Sequence, residues 1–146
     1  MGKYLDAIGL GIIKVKQVED LLSKASEVFR TMDKELSEYG NGRFTTRCSG
    51  LNEVGASWVG NFEGAFASPT RQFTYSIKSR SDYRVDLCEV KWRADGFPLS
   101  IHYIGLGKSI AYSPGHLADN VEQLADRLVE MLQDSDVAAA IKLITE

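Results

Sequence analysis

Apolar residues recur at helical spacing from Val18 to Tyr39. Val18, Leu21, Leu22, Ala25, Val28, Phe29, Met32, Leu36 and Tyr39 share one stripe, which predicts a helix over about 16–39. Glu19 and Asp20 sit in its first turn, where negative charge suits the helix dipole, and Gly40-Asn41-Gly42 supplies a left-handed stop. The run before it, Ile8 to Val15, fits either a short strand or the start of the same helix.

After Gly42 the period changes from 3.6 to 2. Phe44, Thr46 and Cys48 alternate with Arg43, Thr45 and Arg47; Trp58, Gly60, Phe62, Gly64 and Phe66 alternate with Val59, Asn61 and Glu63; Phe73, Tyr75 and Ile77 alternate with Gln72, Thr74, Ser76 and Lys78. Each run is bounded by turn-forming residues and reads as a strand. With 67–70 as a loop, Phe66 would face Arg71, Gly64 would face Phe73 and Phe62 would face Tyr75. In Tyr83–Arg93 the apolar phase shifts between Leu87 and Cys88, so one residue must be absorbed there as a β-bulge. Asp95-Gly96 marks a two-residue hairpin. Its register places Trp92, Val90 and Cys88 opposite Leu99, Ile101 and Tyr103, and Lys91 and Glu89 opposite Ser100 and His102. A short strand over Lys108–Tyr112 follows the Gly105-Leu106-Gly107 turn.

Ser113-Pro114 reads as the cap and first residue of a helix, with Leu117, Val121, Leu124, Leu128 and Leu132 as its apolar stripe and His116 in its first turn. A last helix spans about Ser135 to Ile144. The expected architecture is a single α+β domain over 1–146, an antiparallel meander of five or six strands with an N-terminal helix and C-terminal helices on one face.

Composition adds constraints. Hydrophobic residues are 44% and charged residues 25% of the chain, an ordinary globular balance. Cys48 and Cys88 belong to no CxxC or Cys/His cluster, so they read as buried, reduced thiols, and neither a metal site nor a cofactor is expected. The longest apolar run, Ala7–Ile13, is too short to cross a bilayer; Asp6 argues against a secretory signal and against myristoylation of Gly2. The expected location is cytoplasmic.

Net charge is −3, unevenly spread. Residues 43–93 hold eight basic and five acidic side chains; residues 94–146 hold three basic and eight acidic. By strand parity the outward sheet face carries Arg43, Arg47, Lys78, Arg84, Lys91 and Arg93, together with Glu89 and His102.

Candidate chemistry is sparse. Glu89 opposite His102 is the carboxylate–imidazole pair that the register creates, and it equally fits an ordinary cross-strand pair on a solvated face. Neither Gly9-Leu10-Gly11 nor Gly105-Leu106-Gly107 has the further residues of a phosphate loop. No hydrolase, zincin or kinase motif is present.

The reading that results is a non-catalytic protein-binding domain of inhibitor, immunity or chaperone type, acting through the basic sheet face. The charge segregation adds the expectation of a homodimer, basic sheet against acidic C-terminal helix. Nucleic acid is a further candidate partner for the same face, though the aromatics needed for base stacking point inward by parity. If Ile8–Val15 is a strand, the order of strand, helix, six strands and helix is similar to that of helix-grip lipid-binding domains, which implies a small apolar ligand in space left by Gly60 and Gly64.

Overall fold

The structure is a computed structural model and describes residues 2–50, 57–58, 62–106 and 114–146. Its first element, α1, runs unbroken from Lys3 to Gly40, about 57 Å at 1.5 Å per residue. The open choice at Ile8–Val15 is thereby settled as helix. Asn41 ends α1 in the left-handed region (φ 47°), its N–H donating to Ser37 O at 3.1 Å. The domain takes hold of α1 only from Val18 onward, where Val18 and Leu22 lie beside Gly96. Ala25, Phe29, Met32 and Leu36 then enter the core.

The strands are β1 (Phe44–Ser49), β2 (Ser57–Trp58), β3 (Gln72–Ser79), β4 (Arg84–Arg93), β5 (Gly96–Tyr103) and β6 (Gly115–Ala118). They form one antiparallel sheet in the order β2-β1-β3-β4-β5-β6. From β3 onward it is a meander. Before that it is not, because β1 lies between β2 and β3.

The predicted strand through Phe62, Gly64 and Phe66 is overturned. Phe62–Phe66 is a short helix, α2, which buries Phe62, Ala65 and Phe66 at i, i+3 and i+4. Alternation and helical spacing coincide over five residues when both end positions are Phe. The predicted partners of this segment go elsewhere: β3 is flanked by β1 and β4, with Cys48 opposite Tyr75. Gly60 lies outside the described residues.

The bulge is where the phase change puts it. Tyr75 pairs with Cys88 and Ser76 with Asp86, so Leu87 is the residue passed over, and Leu87 and Cys88 are both fully buried. The β4–β5 register also holds from Cys88–Tyr103 to Lys91–Ser100, with Glu89 opposite His102. It shifts before the turn, where Arg93 pairs with Gly96 and Gly96 takes φ 86°. The connection is therefore still two residues long but displaced by one, Ala94-Asp95 in place of Asp95-Gly96, with Gly96 as the left-handed residue after it, and Trp92–Leu99 drops out of the ladder.

Two helices close the fold: α3 (Val121–Gln133) and α4 (Ser135–Thr145). The helix predicted from Ser113-Pro114 begins later. Residues 115–118 pair with β5 as β6, and Asn120 caps α3, its side chain accepting from Gln123 N at 2.8 Å while Gln123 Oε1 accepts from Asp119 N. Apolar residues at 117, 121 and 124 suit a helix, but Leu117 is an exposed residue of an edge strand. Ser113 and the predicted strand over 108–112 lie outside the described residues.

All helices pack on one sheet face. Phe29, Phe62, Phe66, Phe73 and Trp92 interlock there with ring centroids 5.0–6.4 Å apart. The strand at Ile8–Val15 on which the helix-grip resemblance rested is helical.

Candidate functional site

The outward sheet face was the predicted binding surface, and the structure divides its residues. Arg43 is not on that face. It precedes β1, and its guanidinium donates to Tyr39 O (2.9 Å) and Gly40 O (2.9 Å) at the end of α1 and to Thr145 O (3.1 Å) at the end of α4. One cation thus satisfies carbonyls at two helix C-termini, where the dipoles favour positive charge. Its role is architectural.

Arg47, Lys78, Arg84, Glu89, Lys91 and His102 do share the outward face, as register requires. Their charges are largely matched. Lys78 Nζ lies 3.1 Å from Asp82, Arg84 lies 3.2 Å from Asp86, and Lys91 Nζ lies 3.2 Å from Glu89. Asp86 and Glu89 therefore break the basic array into pairs. Arg47 Nε is buried with no hydrogen-bond partner, beside Ser76, itself 1% exposed. Arg93 stands exposed at the turn end of β4.

Glu89 and His102 face one another across β4 and β5 as predicted. His102 Nε2 is 3.1 Å from Ser100 Oγ, its neighbour two residues back on the same strand. The described pockets are elsewhere in the molecule. His116, expected in a helix, lies in β6 and stacks on Tyr103 with centroids 4.0 Å apart and planes within 9°. Among the described residues, no three His, Cys, Asp or Glu side chains converge as a metal cage would need.

An inward row crosses four strands, with Cys48, Tyr75, Cys88 and Tyr103 as successive Cα partners. Both cysteines are free and fully buried. They flank Tyr75 on either side, so two strand spacings, about 9.6 Å, separate them, too far for a disulfide. Burial pushes both thiols well above their ordinary range, helped by the neighbouring Cys88 and Asp33 charges at Cys48 and by Asp86 and Glu89 at Cys88.

Two apolar surfaces emerge that the sequence reading did not identify. The first is the stretch of α1 before Val18. Every residue from Gly2 to Gln17 is exposed, including Tyr4 (75%), Leu5 (63%), Ile8 (59%), Leu10 (62%), Ile12 (53%), Ile13 (53%) and Val15 (57%). The second is an open groove of about 640 Å³ between α1, α3 and α4, on the side of the helical layer away from the sheet. Val28, Met32, Leu36, Leu128, Leu132 and Ile141 line it. A sequence signal for the first existed. Leu5, Ile8, Ile12 and Val15 keep the 3-4-3 spacing of a coiled-coil seam, a regularity hidden by reading the stretch as a bare apolar run.

Among the described residues, no helix is long and apolar enough to cross a membrane. Comparison with protein-family models, with curated proteins and with solved structures finds no match. The fold and its surfaces define an α+β domain with a projecting apolar helix.

Proposed function

We propose that this chain is a protein-binding domain without a catalytic role, and that the projecting part of α1 is its principal contact surface. One observation carries the reading: seven large apolar side chains stand more than half exposed on a single helical segment of about four turns. That segment is poorly suited to stand alone. Gly9 and Gly11 each weaken a helix by about 1 kcal/mol relative to Ala, and Ile12, Ile13 and Val15 are β-branched. A partner that covers the segment would stabilise both its helical form and its apolar surface. The sheet face expected from the charge count fits this role less well, because three of its cations already hold carboxylates.

Co-purification from the native host with wild-type chain and with a Leu5→Ser, Ile8→Ser, Ile12→Ser variant tests the reading. A protein recovered in stoichiometric amount with the wild type and lost with the variant is expected. Recovery of nucleic acid or lipid instead, or of the same proteins with both chains, would refute it.

A further inference from the structure

The projecting segment and the groove belong to one rod. Both are apolar, both are open, and α1 is continuous between them. A helix without a break cannot fold back on itself, so the segment cannot reach the groove of its own chain. It can reach that of another.

Charge matches as well as polarity. Residues 3–17 carry Lys3, Lys14 and Lys16 against Asp6. The lining itself carries Glu35 on the α1 wall and Lys142 on the α4 wall, and the α3 wall, formed by Ala125, Leu128, Val129 and Leu132, is bordered one turn away by Glu122 and Asp126. A basic apolar helix therefore meets an apolar trough whose α3 border is acidic.

Area points the same way. Tyr4, Leu5, Ile8, Ile12 and Val15 share one side of the segment, and two such sides buried against two grooves in a reciprocal pair are on the order of the 1,600 Å² of an interface of standard size. A zipper of two such segments alone would be a weaker solution, because Leu5 to Val15 spans fewer than the three or four heptads that sustain a coiled coil.

We propose that two copies of this chain exchange their N-terminal helical segments, each lying in the groove between α1, α3 and α4 of the other. The exchange is reciprocal, so a closed pair satisfies both segments and both grooves. This rests on the protein-binding reading and assigns its partner as a second copy.

Size-exclusion chromatography with light scattering on the full chain tests it, using wild type, Ile12→Glu in the segment and Val129→Lys in the groove. Both substituted positions are more than half exposed, so the core is untouched. The wild type is expected at twice the mass of one chain and each variant at half that mass. An equimolar mixture of the two variants should regain the two-chain species, since one brings a sound groove and the other a sound segment. A wild type of one-chain mass throughout the micromolar range would overturn the proposal. So would a Val129→Lys chain that stays paired, which would indicate a segment-to-segment zipper. If circular dichroism shows that either variant has lost helix, an Ile12→Cys chain oxidised with a Val129→Cys chain replaces it: an interchain disulfide supports the exchange and its absence refutes it. A monomeric wild type that still captures a different protein through the segment would remove this inference and leave the broader reading standing.

Discussion

The Tyr75 hydroxyl donates to Asp33 Oδ1 at 2.8 Å, tying the centre of the sheet to the C-terminal third of α1. Tyr75 is fully buried, and burial, together with the Asp33 charge that the phenol faces, holds its pKa well above the ordinary 10.0. Tyr103 plays the equivalent part for α3, donating to Arg127 O at 2.8 Å, and burial and Glu130 raise its pKa too.

These raised pKa values make the fold sensitive to alkali. Each group has a higher pKa folded than unfolded, so the unfolded state loses its proton first. The stabilisation is complete below the unfolded values, 9.0 for the thiols and 10.0 for the phenols, and declines as pH climbs above them. Denaturant unfolding from pH 7 to 11 should show that decline beginning near pH 9. Tyr75→Phe should cost about 1–2 kcal/mol at pH 7 and should make the decline shallower; an unchanged slope would show that Tyr75 ionises as freely in the fold as outside it.

Cys48 and Cys88 should be silent to thiol reagents in the native protein and both reactive after unfolding. Counting thiols with a chromogenic disulfide in the presence and absence of denaturant checks this. Rapid labelling of one native thiol would mean that the row around Tyr75 is open to solvent.

Arg43→Ala should destabilise by about 1–2 kcal/mol despite the residue's exposure, because carbonyls at the ends of α1 and α4 lose their donor. Arg43→Lys should recover little of this, since a single ammonium cannot reproduce the planar fork that spans both ends. A neutral Arg43→Ala in thermal or denaturant unfolding would contradict the arrangement.

Glycine substitutions should separate the body of the domain from the projecting segment. Gly105 has φ 69°, and a Cβ there would run into the backbone of Asp136 at the start of α4, so Gly105→Ala should cost about 2 kcal/mol or more. At Gly9 and Gly11 a Cβ meets nothing within 4 Å. Substituting both by Ala should therefore raise the helical far-ultraviolet signal, each contributing about 1 kcal/mol of helix propensity. A loss of helix in that double variant would mean that a close neighbour needs the bare backbone.

Much of the fold was legible because two local patterns agreed with the tertiary one. The buried stripe of α1, the phase shift at Leu87–Cys88 and the Glu89–His102 register could each be read from residue type and parity alone. The failures have local causes. Phe62 and Phe66 satisfy both a two-residue and a four-residue period, and the neighbouring aromatic ring of Phe29 decided for helix. Ser113-Pro114 imitates a helix start, but Asn120 and Gln123 offer a better one seven residues later. Parity could assign Arg43 to a sheet face but could not know that it precedes the first strand residue and meets two helix ends. The groove was beyond reach of one-dimensional reading, since it is made by helices far apart in the chain.

The extra residue at Leu87 makes β4 asymmetric towards changes in chain length. Removing Leu87 would cost its buried side chain, yet the residues on either side would keep their present inside-or-outside orientation. Removing Cys88 instead would leave the same alternation, with Leu87 in its place, whereas removing Asp86 or Glu89 would turn part of the strand over. Shortened forms of this segment that still fold should therefore lack one of those two neighbouring buried residues and neither of the flanking acids.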